Sequence, residues 1–565
     1  MSPEQEPPTP VDRESLRVTF QQGLAFHQQG RLAEAERCYD EVLRGQPNSS
    51  SALYMLGLLA FQSRQPQRGV ELTARAIALN PNVAEAHNNL GNGLIELKRP
   101  AEALASFDRA VALKPDFAEA HNNRGAALNA LGRFEEALQS CERAIALRAD
   151  YAEAHYNRGL TLKGLRRAPE ALASYDKAIA LRPDYADAHN NRAILLNDLG
   201  RHDEALESCD RALALRPDHA EAHNNRAATL ADLARDEEAL ASYDQAMALM
   251  PEDAGTHFNR GVLLLRMARF AEGWREFEWR KRLPEAPGAR SFPRPLWLGD
   301  RESAGKTVLV HAEQGYGDSI HFARYARLLA AHGARVVFSV PPSLCKLFVS
   351  LGPGVRVVAD GELPPEFDCH CPLLSLPAAF GTTLETIPAE PRYLAADTTL
   401  KSEWDALLPP KTKPRIGIVW SGNPDQGNDR YRSMPLEALL PLISPPADWV
   451  ALQNDVRDRD TAALRAHDEI IFFGDAIGDF SDTAALIELM DLVIAVDTSV
   501  AHLAGALGKP VWIMLADNAD WRWLRERADC PWYPSARLFR QERLGDWTRV
   551  IAAVGKELRA AIGAR

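Results

Sequence analysis

The chain has 565 residues, of which 46% are hydrophobic and 25% charged. That composition excludes a wholly disordered chain and leaves room for roughly two to four domains. Lys and Arg number 65 against 77 Asp and Glu, and the net charge of -12 argues against a broad non-specific binder of nucleic acid. Seven scattered cysteines, an odd number, imply no disulfide framework and suit a reducing compartment.

The first residues, Met1 to Pro10, are acidic and Pro-rich with no apolar core, so they do not read as a signal peptide. Residues 1–15 are expected to be disordered. The most apolar stretch, Met490 to Leu515, is interrupted by Asp491, Asp497, His502 and Lys509 and does not fit a membrane span. A soluble cytoplasmic protein is expected.

From residue 16 the sequence repeats itself. Ala-His-Asn-Asn stands at 86–89, 120–123, 188–191 and 222–225, with Ala-His-Tyr-Asn at 154–157 and Thr-His-Phe-Asn at 256–259, always 34 residues apart. A small residue recurs in phase from Gly23, Gly57, Gly91, Gly125 and Gly159 to Gly261, and a second from Ala35 to Gly273. Pro47, Pro81, Pro115, Pro183, Pro217 and Pro251 close most units. Small residues let two helices approach, Pro ends the second helix, and one pair cannot bury its apolar face alone, so neighbours must stack. The array resembles the tetratricopeptide family over residues 16–283, as eight repeats. The resemblance implies an all-α superhelix whose first helices line a groove.

Three columns run through this array. His87, His121, His155, His189, His223 and His257 lie one repeat apart, roughly 10 Å, too far for a shared metal. They are expected to pack or to hydrogen-bond. Arg124, Arg158, Arg192, Arg226 and Arg260 run in phase with Asp108, Glu142, Asp176, Asp210, Asp244 and Glu278, which suggests stacked ion pairs, with phosphate or acidic-peptide binding as the alternative. Asn89, Asn123, Asn157, Asn191, Asn225 and Asn259 form the third column, broken by Gln21 and Met55. A row of amides can grip a peptide backbone without reading its side chains; the alternative is solvated or capping Asn. This column resembles the asparagine ladder inside the superhelix of the O-linked N-acetylglucosamine transferases, and that resemblance implies an acceptor-peptide groove.

A Pro- and Arg-rich linker, residues 284–304, ends the array. Short apolar runs then alternate with helical stretches: Thr307–Ala312, Arg335–Val340, Ile416–Trp420, Trp449–Leu452, Leu492–Val496 and Val511–Leu515. That alternation predicts parallel sheets with helical crossovers. A second Pro/Lys-rich break, Leu408 to Pro414, divides this half into lobes at 305–408 and 409–565. Trp547–Ile562 is expected to form a terminal helix. Ligands of such folds bind at the carboxyl ends of the strands.

Polar loops stand at those ends. Gly315 and Gly317 follow the first strand, and Asp318 opens a helix as either an N-cap or a working carboxylate. Ser421, Asn423, Arg430 and Arg432 follow the third run, and Gln453 the fourth. Asp497, Thr498, Ser499 and His502 follow the fifth, where a helix start offers free N–H groups to an anion. Cys369-His370-Cys371 has no second pair at zinc spacing and is not read as a metal site. Val456 to Asp460 places Asp458 and Asp460 two apart, but it reads as a charged helix start. The aromatic segment around Trp521, Trp523 and Cys530 to Pro534 suits either core packing or stacking on a nucleotide.

These motifs resemble the lipopolysaccharide heptosyltransferases of glycosyltransferase family nine, which have the two-lobed GT-B fold; such folds often end with a helix that crosses back to the first lobe, and the resemblance implies that role for Trp547–Ile562. Their Gly-Asp-x-x-His matches Gly317-Asp318-Ser319-Ile320-His321, and their Asp-Thr-x-x-x-His matches Asp497-Thr498-Ser499-Val500-Ala501-His502. The resemblance implies Asp318 as general base and Ser421 with Arg432 at the donor phosphate, although Arg stands where the family has Lys and the loop is longer. It also implies a nucleotide-sugar as substrate, no cofactor and no metal. The order of parts is similar to bacterial tetratricopeptide–glycosyltransferase fusions that modify flagellin. The expected activity is inverting transfer of a sugar to Ser or Thr of a protein held by the repeats, with no nucleic acid and no membrane span. A lipopolysaccharide or surface-polysaccharide acceptor, or an inactive scaffold, are the alternatives.

Overall fold

The structure, a computed structural model, describes residues 13–284, 290, 292–362, 364–426, 429–443 and 447–563. Most of the expected disordered terminus (1–12) and part of the expected linker (285–289 and 291) lie outside these residues. The first helix already begins at Arg13, inside the span expected to be disordered. The chain divides into two compact units, Met1–Thr229 and Leu230–Arg565, each described by itself below.

The first unit is helical. Twelve helices run from Arg13–Gln28 to His202–Leu215, followed by the start of the helix Ala220–Asp232. Each repeat is an antiparallel pair, and the column of small residues has a steric cause. A Cβ on Gly91 would come 2.5 Å from Phe107 Cε1, and one on Gly159 would come 2.5 Å from Tyr175 Cε1. Phe107 and Tyr175 are fully buried, so the ring of each second helix fills the space left by the missing side chain on the first.

The three columns are engaged within the array. Each column His donates from Nε2 to the carbonyl that ends the preceding repeat, as in His87 to Pro81 (2.9 Å), His121 to Pro115 (3.1 Å) and His155 to Ala149 (3.1 Å). This satisfies a carbonyl beyond a helix end that would otherwise lack a partner. Burial lowers the pKa of His121, His155 and His189, in keeping with neutral rings. The basic column pairs with the acidic one from the preceding helix, Arg124 with Asp108 at 2.6 Å and Arg192 with Asp176 at 2.7 Å. The acids are half exposed, so each pair adds little stability. The asparagine ladder bonds to side chains of the preceding repeat. Nδ2 of Asn123 donates to Asn88 (3.1 Å), that of Asn157 to Asn122 (2.8 Å) and that of Asn225 to Asn190 (2.9 Å), while Asn89 and Asn191 donate to the hydroxyls of Tyr54 and Tyr156.

The second unit begins with the last helices of the array, Asp236–Leu249, Ala254–Arg266 and Phe270–Phe277, the last followed by a 3-10 turn, Glu278–Arg282. Asn259 lies here, and so do Arg260, paired with Asp244 at 2.9 Å, and His257, bonded to the Pro251 carbonyl. Glu278 departs from its column and pairs with Arg280 and Lys281.

Two parallel sheets follow. The first has strands β1 (Thr307–His311), β2 (Arg335–Val340), β3 (Val355–Ala359) and β4 (Cys369–Pro372), in the order β3-β2-β1-β4. The second has β5 (Arg415–Val419), β6 (Asp448–Ala451), β7 (Ile470–Ile471), β8 (Leu492–Val496), β9 (Val511–Leu515) and β10 (Ala536–Arg540), in the order β10-β9-β8-β5-β6-β7. Cys369, His370 and Cys371 are thus strand residues, and the two cysteines are buried. The terminal helix Thr548–Gly563 does not cross back. Its Val550, Ile551, Val554 and Leu558 share a core with Ile416, Ile418 and Leu442 of the second lobe, because that amphipathic face finds its apolar partners there.

The terminal repeat is built into this unit. Leu265, Phe270, Trp274 and Phe277 belong to the same core as Val308 and Val310 of β1. Trp274 Nε1 donates to the Thr382 carbonyl at 2.9 Å. Arg280, 3% exposed, donates to both Glu313 oxygens (3.1 and 2.9 Å) and to Ser375 Oγ (2.8 Å). Glu313 begins the loop that leads to Asp318.

Candidate functional site

The strand order locates the site. In each sheet the order reverses beside the first strand of that lobe, between β1 and β4 and between β5 and β8, and parallel sheets bind ligands at such switch points. The loop after β1 carries Gly315, Gly317 and Asp318. The loops after β5 and β8 carry Ser421 to Arg432 and Asp497 to Ser499.

Two helix starts meet there. The helix Tyr316–Ala331 opens on Gly315 as N-cap, and the helix Ser499–Ala506 opens on Thr498. Both Gly315 and Gly317 have ordinary backbone angles, so the value of Gly317 is close approach: a Cβ there would lie 3.1 Å from His502 Cδ2 and 3.6 Å from Ser499 Cα. At Gly315 the nearest atoms to an added Cβ would be Asp318 Oδ2 and Gln426 Nε2, which brings the loop after β5 alongside.

Asp318 is neither a bare cap nor free. Its Oδ2 accepts the Gly315 N–H at 3.2 Å, and its Oδ1 accepts from Arg522 Nη2. The side chain keeps 20% of its exposure. Burial pushes its carboxyl above the usual carboxylate range, Arg522 pulls it back, and the neighbouring Asp520 raises it again. A carboxylate with raised pKa, each of whose oxygens accepts a single hydrogen bond from the described residues, keeps a lone pair for proton abstraction near neutral pH.

Across from it, burial and then Asp520 raise the Asp497 carboxyl to about 6. Thr498 Oγ1 is buried with no hydrogen-bond partner among the described residues. The first-turn N–H groups of Ser499, Val500 and Ala501 have no acceptor within their own helix, as at any helix start, and together with Thr498 they make an anion cradle. Arg432 lies against it: Nη1 donates to the Asp497 carbonyl (3.1 Å), and the guanidinium rests on Gly422, where a Cβ would come 2.8 Å from Nη2. Gln453 Nε2 donates to Ser421 Oγ (3.2 Å), and Gln453 Oε1 accepts the Trp420 N–H (3.1 Å), so Gln453 fixes the start of this loop. Asn423 is exposed and accepts the Asp425 N–H, while its carbonyl meets Arg432 at 3.4 Å. Arg430 stands apart, exposed and stacked over Tyr431.

The two motif histidines serve a buried hub. The Tyr533 hydroxyl lies 2.9 Å from His321 Nδ1 and 3.0 Å from His502 Nδ1, so it donates to one ring and accepts from the other. Burial, reinforced by nearby arginines, drives both imidazoles well below their usual pKa and keeps them neutral. His502 also stacks on Trp523 at 5.0 Å. Arg324 donates to the Trp532 carbonyl (2.7 Å) and to the Tyr393 hydroxyl (3.2 Å), tying the two lobes together behind the cleft.

Several residues here carried no sequence signal. Arg522 sits within the aromatic run Trp521 to Trp523, and only folding brings it to Asp318. Arg457 lies in the charged run at 456–460 and bonds to the Gly422 carbonyl (2.9 Å) and Asp429 (2.6 Å). In that run the helix starts at Asp458, and Asp460 accepts from Trp420 Nε1 and the Leu436 N–H, a structural use of its carboxylate.

Comparison with known proteins agrees with both halves. Tetratricopeptide repeat matches cover residues 20–84, 54–116, 88–154 and 156–220. Residues 478–539, which include Asp497 to His502 and Arg522, match glycosyltransferase family 9 (heptosyltransferase). The matches support a fusion of tetratricopeptide repeats with a glycosyltransferase. Protein FlbA of Caulobacter vibrioides is 28% identical over 314 residues, 51% of this chain and 52% of that protein. The chain thus spans about half the length of the curated relative it matches. Among solved structures, a thermophilic TPR protein of Thermus thermophilus is 26% identical over 32% of this chain and 99% of its own, with a TM-score of 0.28. A tetratricopeptide repeat protein from Parabacteroides merdae is 16% identical over 44% of this chain and 99% of its own, with a TM-score of 0.39. Among the described residues no helix is long and apolar enough to cross a membrane.

Proposed function

We propose that the chain is an inverting protein O-glycosyltransferase that moves a sugar from a nucleotide-sugar donor to a Ser or Thr hydroxyl. The observation that carries this reading is the meeting of two helix starts at Gly317, one bearing a carboxylate of raised pKa and the other an anion cradle. Asp318 takes the proton from the acceptor hydroxyl as its oxygen attacks the anomeric carbon. The bond from that carbon to the donor phosphate breaks on the opposite face, and the nucleoside diphosphate leaves with the electron pair. The charge that develops on it meets the N–H groups of Ser499 to Ala501, Thr498 Oγ1 and Arg432. These groups supply fixed positive potential, so the reading needs no metal.

The repeats supply the acceptor site in this reading. Their ladder amides donate to Asn and Tyr side chains of the preceding repeat, so an acceptor peptide is met through the side-chain oxygens, which favours backbone N–H recognition over side-chain sequence. Flagellin is the acceptor to try first, from the similar order of parts in flagellin-modifying fusions. The test is transfer from a panel of nucleotide-sugars to candidate proteins, read by intact-mass spectrometry. Wild type is expected to add one sugar mass per site and Asp318→Ala to lose at least about a hundredfold in rate while still binding nucleotide. Equal rates in the two proteins would remove Asp318 as the base, and no transfer from any donor would leave the fusion a scaffold.

A further inference from the structure

The cleft contains a guanidinium that the motifs do not name. Arg522 is 7% exposed and is held on every side. Nη2 donates to Asp318 Oδ1, and Nη1 donates to Asp520 Oδ1 at 2.8 Å. Asp520 in turn accepts the Arg522 N–H at 3.0 Å, closing a tight turn around the side chain. The guanidinium plane lies 4.5 Å from the Trp521 ring centroid and 5.2 Å from that of Phe322, so aromatic faces fix its orientation. Trp521 is itself braced by Trp274, edge-on at 5.2 Å, and by Phe277 at 6.3 Å. The clamp therefore stands on the terminal repeat helix Phe270–Phe277.

We infer that Arg522 is the positioning residue of the general base: it fixes the Asp318 carboxylate so that Oδ2 is the oxygen offered to the acceptor hydroxyl, and it holds that carboxylate ionised. The inference rests on the reading of the cleft as a glycosyltransferase site. The charged and titratable groups facing this pair are Asp520 and Asp497, Arg432 and Arg324, and the neutral rings of His321 and His502. Arg522 bonds directly to Asp318, so without it the base faces the Asp520 carboxylate with no cation bound to it. A purely structural ion pair would alter stability alone. A positioning role must also move the pH dependence of catalysis.

The experiment measures kcat and KM for the donor against pH in wild type, Arg522→Gln and Arg522→Lys, with thermal unfolding of each. Arg522→Gln is expected to lose roughly a hundredfold in kcat, with the donor KM unchanged. Its acidic limb should move up by about one pH unit or more, the usual effect of losing an adjacent Arg. Arg522→Lys restores the limb to the wild-type position but not the full kcat, because an ammonium carries the charge without the planar fork. A Gln variant whose acidic limb stays at the wild-type pH overturns the inference, whatever its rate. If the Gln variant does not fold, the Lys variant decides: wild-type kcat there overturns it. Absence of turnover in wild type itself overturns the glycosyltransferase reading and this inference together, and is distinct from a failure of the variants alone.

Discussion

Replacing Arg280 with Met tests whether the terminal repeat is part of the α/β unit or merely attached to it. Arg280 is 3% exposed and Glu313 7%, and the guanidinium is shared among Glu313, Glu278 and Ser375. Met fills a similar volume but leaves Glu313 buried, with only the Leu374 N–H at 3.1 Å, among the described residues, to hold its charge. Removing one partner of a buried ion pair costs about 3–5 kcal/mol, because the other charge stays uncompensated. A unit of roughly 340 residues unfolds with an entropy of about 0.7 kcal/mol per degree, so the midpoint should fall by about 4–7 °C. All 11 tryptophans, from Trp274 to Trp547, lie in this unit, and tryptophan fluorescence follows it selectively. The double variant Arg280→Met with Glu313→Gln should recover part of the loss, since no buried charge is then left unpaired. A single variant that melts within 1 °C of wild type would show that Arg280 does not compensate a buried Glu313 charge, and so would a double variant less stable than the single one.

Gly317→Ala places a methyl 3.1 Å from His502 and forces the two helix starts apart by a few tenths of an ångström. Stability should fall by about 1 kcal/mol, and transfer by roughly tenfold to a hundredfold. A variant with unchanged turnover would show that this spacing does not matter to the chemistry. The pH dependence of stability follows from the buried rings: burial lowers the His311 pKa to about 3 and drives His321 and His502 well below their usual value. The unfolded chain takes up those protons near 6.5 while the fold does not, so stability is full above that pH and is lost as pH falls. Between pH 7.5 and 6 the three rings cost about 2 kcal/mol in all. Asp497, raised to about 6, offsets a fraction of this because its folded form binds the proton more readily. The fluorescence midpoint should drop by a few degrees over that range, and a flat profile would contradict the neutral-histidine hub.

The repeats were legible in the sequence because their cause is local and periodic. A glycine opposite a large ring, a His beneath a Pro carbonyl and an Arg sixteen residues from its acid all recur at fixed spacing. The strands that close a lobe were less legible. Val355–Ala359 and Ala536–Arg540 are short and flanked by irregular chain, and the Cys-His-Cys strand at 369–372 has the composition of a ligand cluster. At the site, Asp318 and Asp497 could be found because they follow apolar strands in motifs. Arg522 could not, because it meets Asp318 from 204 residues away and its neighbours read as core aromatics. The asparagine ladder shows the opposite limit: the pattern was visible, but the fact that its amides donate to the preceding repeat depends on how closely the first helices stack.

If the cleft between the two parallel sheets takes a nucleotide-sugar as proposed, it holds the donor by its phosphates. The most direct measurement is the unfolding midpoint, by tryptophan fluorescence, of wild type and Arg432→Ala with a panel of nucleoside diphosphates. At about 100 times its dissociation constant, a bound nucleotide adds roughly 2.7 kcal/mol, a rise of about 4 °C for this unit. One nucleotide class should give that rise in wild type, and Arg432→Ala should lose it. No rise with any nucleoside diphosphate would mean that the cleft holds no such phosphates, and an equal rise in both proteins would mean that Arg432 does not hold them.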